Sequence, residues 1–124
     1  AAMIALRRGR TRAEAELMEI AGLLHDCASY RGMKGPDHAR DSAEMARAIL
    51  TDAGAFGADE IETLCHAIRH HSEKDAVGTE FDEILKDADV MQHWLLNPMG
   101  DGRPADGRVR KLIAEFHLRE GRGC

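Results

Sequence analysis

Apolar residues in this chain recur three and four positions apart, in segments ended by glycine or proline, and nowhere alternate as a half-buried strand requires. That pattern allows little other than helices packed on helices. The expected fold is an all-α, single compact helical bundle domain of about five to six helices.

The segments can be placed individually. A first helix covers about Ala2 to Arg8 and stops at Gly9. Thr11 then has Glu14 three residues on, the spacing of a capping box. The helix it opens carries Leu17, Ile20, Ala21, Leu23 and Leu24 as its core-facing stripe. Gly32, Gly35 and Pro36 make Tyr30 to Pro36 a loop. Asp37 is the expected cap of a third helix running through Ala39, Ala43, Ala46, Ile49 and Leu50 to Ala53. A fourth, Ala58 to His71, buries Ile61, Leu64, Cys65 and Ile68, and a fifth, Glu80 to Leu96, buries Phe81, Ile84, Leu85, Ala88 and Leu95. Asn97-Pro98 ends it, Gly100 to Gly107 reads as a loop, and a last helix aligns Val109, Leu112, Ile113 and Phe116.

At 124 residues the chain has the length of one domain. It opens on Ala1-Ala2-Met3 with no cap, so the expectation is one domain over 1–124 lacking part of its first helix. With a formal net charge of −5, broad binding to nucleic acid is not expected, since that needs surplus cations against phosphates. Arg7, Arg8, Arg10 and Arg12 form the densest basic run and are read as a solvated helix end. Cys27, Cys65 and Cys124 lack paired spacing and read as reduced thiols. No apolar run is long enough for a bilayer and no signal-peptide pattern opens the chain, so the expected location is cytoplasmic and no membrane partner is expected. The sequence assigns no oligomeric state.

The 7 histidines concentrate at helix ends. His25-Asp26 closes the second helix, His38 opens the third, and His70-His71 closes the fourth, while Asp87 and Asp89 lie in the fifth. Imidazole nitrogen and carboxylate oxygen together are what a divalent ion used for hydrolysis requires, with a coordination position left for water. Facing helices of a bundle can bring such donors to one interior point. Two residues apart on a helix, Asp87 and Asp89 point about 200° from each other. Asp89 follows Leu85 by one turn and is taken as the inward one, with Asp87 solvated or behind the ligands. His66 shares a helical face with His70 and is read as pocket wall or ligand. His93 and His117 are read as ordinary solvated histidines.

Leu23-Leu24-His25-Asp26, Asp37-His38 followed by Ser42-Ala43-Glu44, His70-His71-Ser72 and Lys86-Asp87-Ala88-Asp89, in that order, resemble the HD superfamily of metal-dependent phosphohydrolases. The resemblance implies a divalent metal cation (Mn, Fe, Ni, Co or Mg) bound by His25, Asp26 and Asp89. It implies that His38, His70 and His71 bind a second ion in members with two or more metals, and line the phosphate pocket in members with one. The expected reaction is hydrolysis of a phosphate ester of a small phosphorylated substrate, such as a nucleotide or sugar phosphate, by a metal-activated water. Asp26 would orient or deprotonate that water, with His38 and His70 as the other catalytic side chains. The pattern usually starts with a histidine further upstream, and none precedes His25; many nucleotide-cleaving relatives carry a lysine where this chain has Ser29. Arg31 or Lys34 is the expected substitute for that charge. The alternative is a non-catalytic metal- or ligand-binding HD module.

Overall fold

The structure, a computed structural model, describes residues 1–33, 35–97 and 107–117. Among them the regular elements are all helical: α1 (Ala2–Arg7), α2 (Arg12–Leu24), α3 (Cys27–Tyr30), α4 (His38–Ala53), α5 (Ala58–His70), α6 (Glu80–Leu96) and α7 (Gly107–Glu115). The all-α class is as expected, with one more helix than foreseen in the single turn of α3. Lys34, Pro98, Cys124 and the loop expected before Gly107 lie outside the described residues.

Local chemistry fixes where the helices begin and end. At α2 the Thr11 hydroxyl accepts from Glu14 N–H and the Glu14 carboxylate accepts from Thr11 N–H, a complete capping box. Thr79 and Asp82 repeat it at α6. Gly54 ends α4 at φ 68°, a conformation that costs a residue with a Cβ far more than it costs glycine. Asp37 stands at the N-cap of α4 but its side chain caps nothing; it pairs with Arg40 at 3.3 Å.

One core unites these elements. Met18 and Ala21 of α2, Ala46 and Leu50 of α4, Leu64 and Ile68 of α5, and Ile84 and Leu85 of α6 pack together, joined by Ile4 and Leu112. Three expected core residues are exposed: Leu23 (75%), Ile49 (48%) and Leu95 (61%). Each is on the margin of its apolar stripe; on α2, Ala15, Met18 and Ala21 take the inward line, and Leu23, two residues past Ala21, is turned to the far side.

The basic run of the first two helices is spent on internal ion pairs. Arg8 binds Asp87 at 2.7 Å and Glu115 at 3.1 Å, Arg10 binds Glu14 and Glu80, and Arg12 binds Glu16. Arg108 of α7 closes on Glu83 and Asp87 from the other side. These contacts tie α1 and α7 to α6. Lys86 is fully buried, its ammonium donating to the Ala76 carbonyl and to Glu83.

Burial would raise the Glu83 carboxyl, but hydrogen bonds from Gly78 N–H, Arg108 and Lys86 outweigh it and hold the pKa down at about 2 from 4.5. A carboxyl depressed in the folded state stabilises fully above its unfolded value and loses that contribution as pH falls. Stability carried by Glu83 is therefore present above about pH 4.5 and lost between there and about pH 2. Urea midpoints followed over that interval will fall more steeply for the wild type than for Glu83→Gln; parallel curves would remove Glu83 from the account.

Candidate metal centre

Four helix ends meet at one side of the core. His25 is the C-cap of α2, Asp26 the N-cap of α3, His38 the first residue of α4 and His71 the C-cap of α5. Asp89 reaches them from α6. His25 Nε2 lies 3.3 Å from Asp26 Oδ2 and 3.3 Å from Asp89 Oδ1. Asp26 Oδ1 lies 3.4 Å from His71 Nε2 and 3.9 Å from His38 Nε2. The His25 and His71 rings meet edge to face with centroids 4.9 Å apart.

The helix ends also set the imidazole tautomers. The last turn of a helix leaves carbonyls without intrahelical partners. His25 Nδ1 binds the Gly22 carbonyl at 2.6 Å and His71 Nδ1 binds the Ile68 carbonyl at 2.6 Å, each three residues back. At the start of α4, His38 Nδ1 meets the Gly35 carbonyl at 3.3 Å. A carbonyl only accepts, so the proton is on Nδ1 and, in the neutral ring, the lone pair is on Nε2. All three Nε2 atoms belong to the cluster, so its donors are in the form an ion requires.

Two sets of three donors result: His25, His71 and Asp89, and Asp26, His38 and His71. Both combine nitrogen and carboxylate oxygen, the mixture that suits divalent first-row ions, and His71 belongs to both. The residues present thus fit a divalent cation on the chemistry and convergence of their donors.

Burial and charge pull the titrations apart. Burial would lower His25, but the Asp89 and Gly22 hydrogen bonds and the charge on Asp26 prevail and its pKa is raised. Burial dominates at His71 and lowers it. Burial would raise Asp89, and the bonds from His25 and Lys74 overcome that and hold its carboxyl well below the usual range.

Five of the six sequence-selected residues, His25, Asp26, His38, His71 and Asp89, come together. His70 belongs to neither set: its Nδ1 pairs with Glu73 Oε2 at 3.0 Å and its ring stacks at 4.5 Å on His66. Asp87, expected in solvent or behind the ligands, is buried under Arg8 and Arg108. Two neighbours of Asp89 went unforeseen. Lys74 Nζ sits 2.6 Å from Asp89 Oδ2, and His93 Nε2 sits 3.4 Å from Asp89 Oδ1. The first joins residues 15 apart and gave no local signal, but the second is an i,i+4 pair that helical spacing alone could have flagged. Arg31, one expected source of positive charge, is exposed; within the described cluster Lys74 carries that charge.

A cavity of about 740 Å³ opens beside the first donor set. His25 and Asp89 lie in its wall, which is otherwise mainly apolar, with Leu85, Ala88, Met91, Leu95 and Phe116. No helix among the described residues is long and apolar enough to cross a membrane. The described thiols, Cys27 and Cys65, are free.

Fold and donors together define a helical-bundle protein with a histidine–carboxylate centre suited to a divalent cation. The HD domain family model matches residues 1–94, most of the chain, and the chain belongs to the HD domain family. No curated protein and no solved structure matched it.

Proposed function

We propose that this chain hydrolyses phosphate esters of small molecules such as nucleotides or sugar phosphates, using one or two divalent cations held by His25, Asp26, His71, Asp89 and His38. The observation that carries the reading is the convergence of the two donor sets on His71, each with its Nε2 lone pairs aimed inward. The cavity beside His25 and Asp89 supports a small substrate.

A bound divalent cation would supply Lewis acidity, lowering the pKa of a water and polarising a phosphoryl oxygen. The side chains would do the rest. Asp26, with a carboxylate oxygen towards each donor set, orients the attacking water and accepts its proton. When a single ion occupies the set of His25, His71 and Asp89, His38, partly exposed beside Asp26, is left free to protonate the leaving oxygen. Lys74 holds Asp89 and brings a positive charge to the rim, where it favours an anionic phosphoryl group.

The test is elemental analysis of purified protein together with a screen of phosphate monoesters and diesters under added Mn2+, Fe2+, Ni2+, Co2+ or Mg2+. Bound metal with metal-dependent turnover of at least one ester is the expected result. Bound metal without turnover of any ester would convert the reading to a non-catalytic binding module, and failure to bind any of these ions would end both.

A further inference from the structure

The outer face of α5 carries a pair of imidazoles that the centre above does not use. His66 and His70 are one helical turn apart, with ring centroids separated by 4.5 Å and planes inclined at 43°. A carboxylate stands behind each ring: Asp82 Oδ1 is 2.8 Å from His66 Nδ1, and Glu73 Oε2 is 3.0 Å from His70 Nδ1. An ionised carboxylate only accepts, so both protons sit on Nδ1 and, in the neutral rings, both lone pairs sit on Nε2. A carboxylate behind an imidazole is the arrangement that fixes a metal-ligating ring and raises its basicity.

The support behind His66 is rigid. Asp82 is 1% exposed, and its other oxygen accepts from Thr79 N–H at 2.9 Å, so the carboxylate cannot turn without opening the cap of α6. The rings themselves are open to solvent, with the His66 side chain half exposed and that of His70 nearly one third. Glu62, one turn before His66 and paired with Arg47, adds a third carboxylate to this face. With Arg47 neutralising Glu62, the charge that favours a cation is that of Asp82 and Glu73 behind the two rings.

The spacing bears on which cation the two rings would suit. With metal–nitrogen bonds of about 2.0 Å and each ring centroid roughly 1.1 Å behind its nitrogen, imidazoles at 90° stand about 4.4 Å apart by centroid, against about 5.1 Å at the tetrahedral angle. The observed 4.5 Å fits the right angle. Tetragonal coordination by nitrogen is the preference of Cu2+ and Ni2+.

We propose that His66 and His70 form a second, outer metal site, a one-turn chelate for Cu2+ or Ni2+ that is separate from the centre at His25 and Asp89. An ion there would brace the end of α5 against the start of α6 through Asp82. The proposal does not depend on phosphohydrolase activity.

The experiment is a Cu2+ titration of the full chain in a His25→Ala/Asp26→Ala/His71→Ala background, where each inner set keeps a single donor, read by calorimetry and electron paramagnetic resonance. One equivalent bound through two nitrogens is expected. Adding His66→Ala will weaken binding at least tenfold and remove one nitrogen from the spectrum, and His70→Ala will do the same from the other side. Circular dichroism checks that each variant keeps its helices, and if one does not, the other reads the site. No bound Cu2+ in the background protein, a spectrum without two nitrogens, or an affinity unchanged in a folded His66→Ala or His70→Ala protein would overturn the assignment.

Discussion

Asp26→Ala will lose bound metal and phosphatase turnover together, with kcat/KM reduced by about 10³-fold or more if the carboxylate both holds the ion and takes the proton of the attacking water. The expectation rests on position: its two oxygens lie within 3.3 to 3.9 Å of His25, His71 and His38, so one truncation touches both donor sets. Stability should move little, because the carboxylate sits partly exposed at the mouth of the cluster and its removal leaves no buried charge uncompensated by another carboxylate. Metal content by mass spectrometry, turnover and a urea midpoint on the same preparation separate the three effects. A variant that keeps its metal would take Asp26 out of the ligand set.

The opposite outcome is expected on α6: Asp87→Ala will unfold more easily and keep its metal. Asp87 is 7% exposed and accepts Arg8 at 2.7 Å on one oxygen and Arg108 at 2.9 Å on the other. Breaking a buried pair by removing one partner costs about 3–5 kcal/mol. Glu115 and Glu83 still face the two guanidiniums, so a loss of about 2–3 kcal/mol is expected, below that range because neither arginine is stranded. Denaturant unfolding measures it. Equal losses of metal in Asp87→Ala and Asp26→Ala would mean that the wrong aspartate of α6 has been assigned to the centre.

The contrast between Asp87 and Asp89 shows what could be read ahead of the coordinates. Helical period places the two carboxylates on opposing faces, and it brings Asp89 to the cluster as expected. It cannot say what covers the other face. Asp87 was expected in solvent or behind the ligands because the period of α6 alone turns it away from the face of Asp89; Arg8, at the end of α1, and Arg108 of α7 bury it, through contacts that span 79 and 21 residues. Lys86 hides for the same reason, its ammonium satisfied by a carbonyl ten residues back in a loop. A helix limit was legible where capping chemistry is local, as at Thr11, and α3 was not, because a single turn is too short to show a period. His70 was grouped with His71 by adjacency, yet neighbours on a helix point about 100° apart, and only His71 turns inward.

The hydrogen bonds from His25 and His71 to the carbonyls behind them tie two tasks to the same side chains. Each ring finishes its own helix while offering its far nitrogen to the cluster, so the donors are stapled in register before any ion arrives. Coordination through Nδ1 would require unfastening a helix end first. An amide side chain in place of either histidine would have to reproduce a terminator and a ligand at once, and the distance between those duties is the width of an imidazole ring. The centre is therefore gauged by the helices themselves: sliding α2 against α5 would change the bite of the site by the same displacement, making ion affinity a direct report on how those two helices sit.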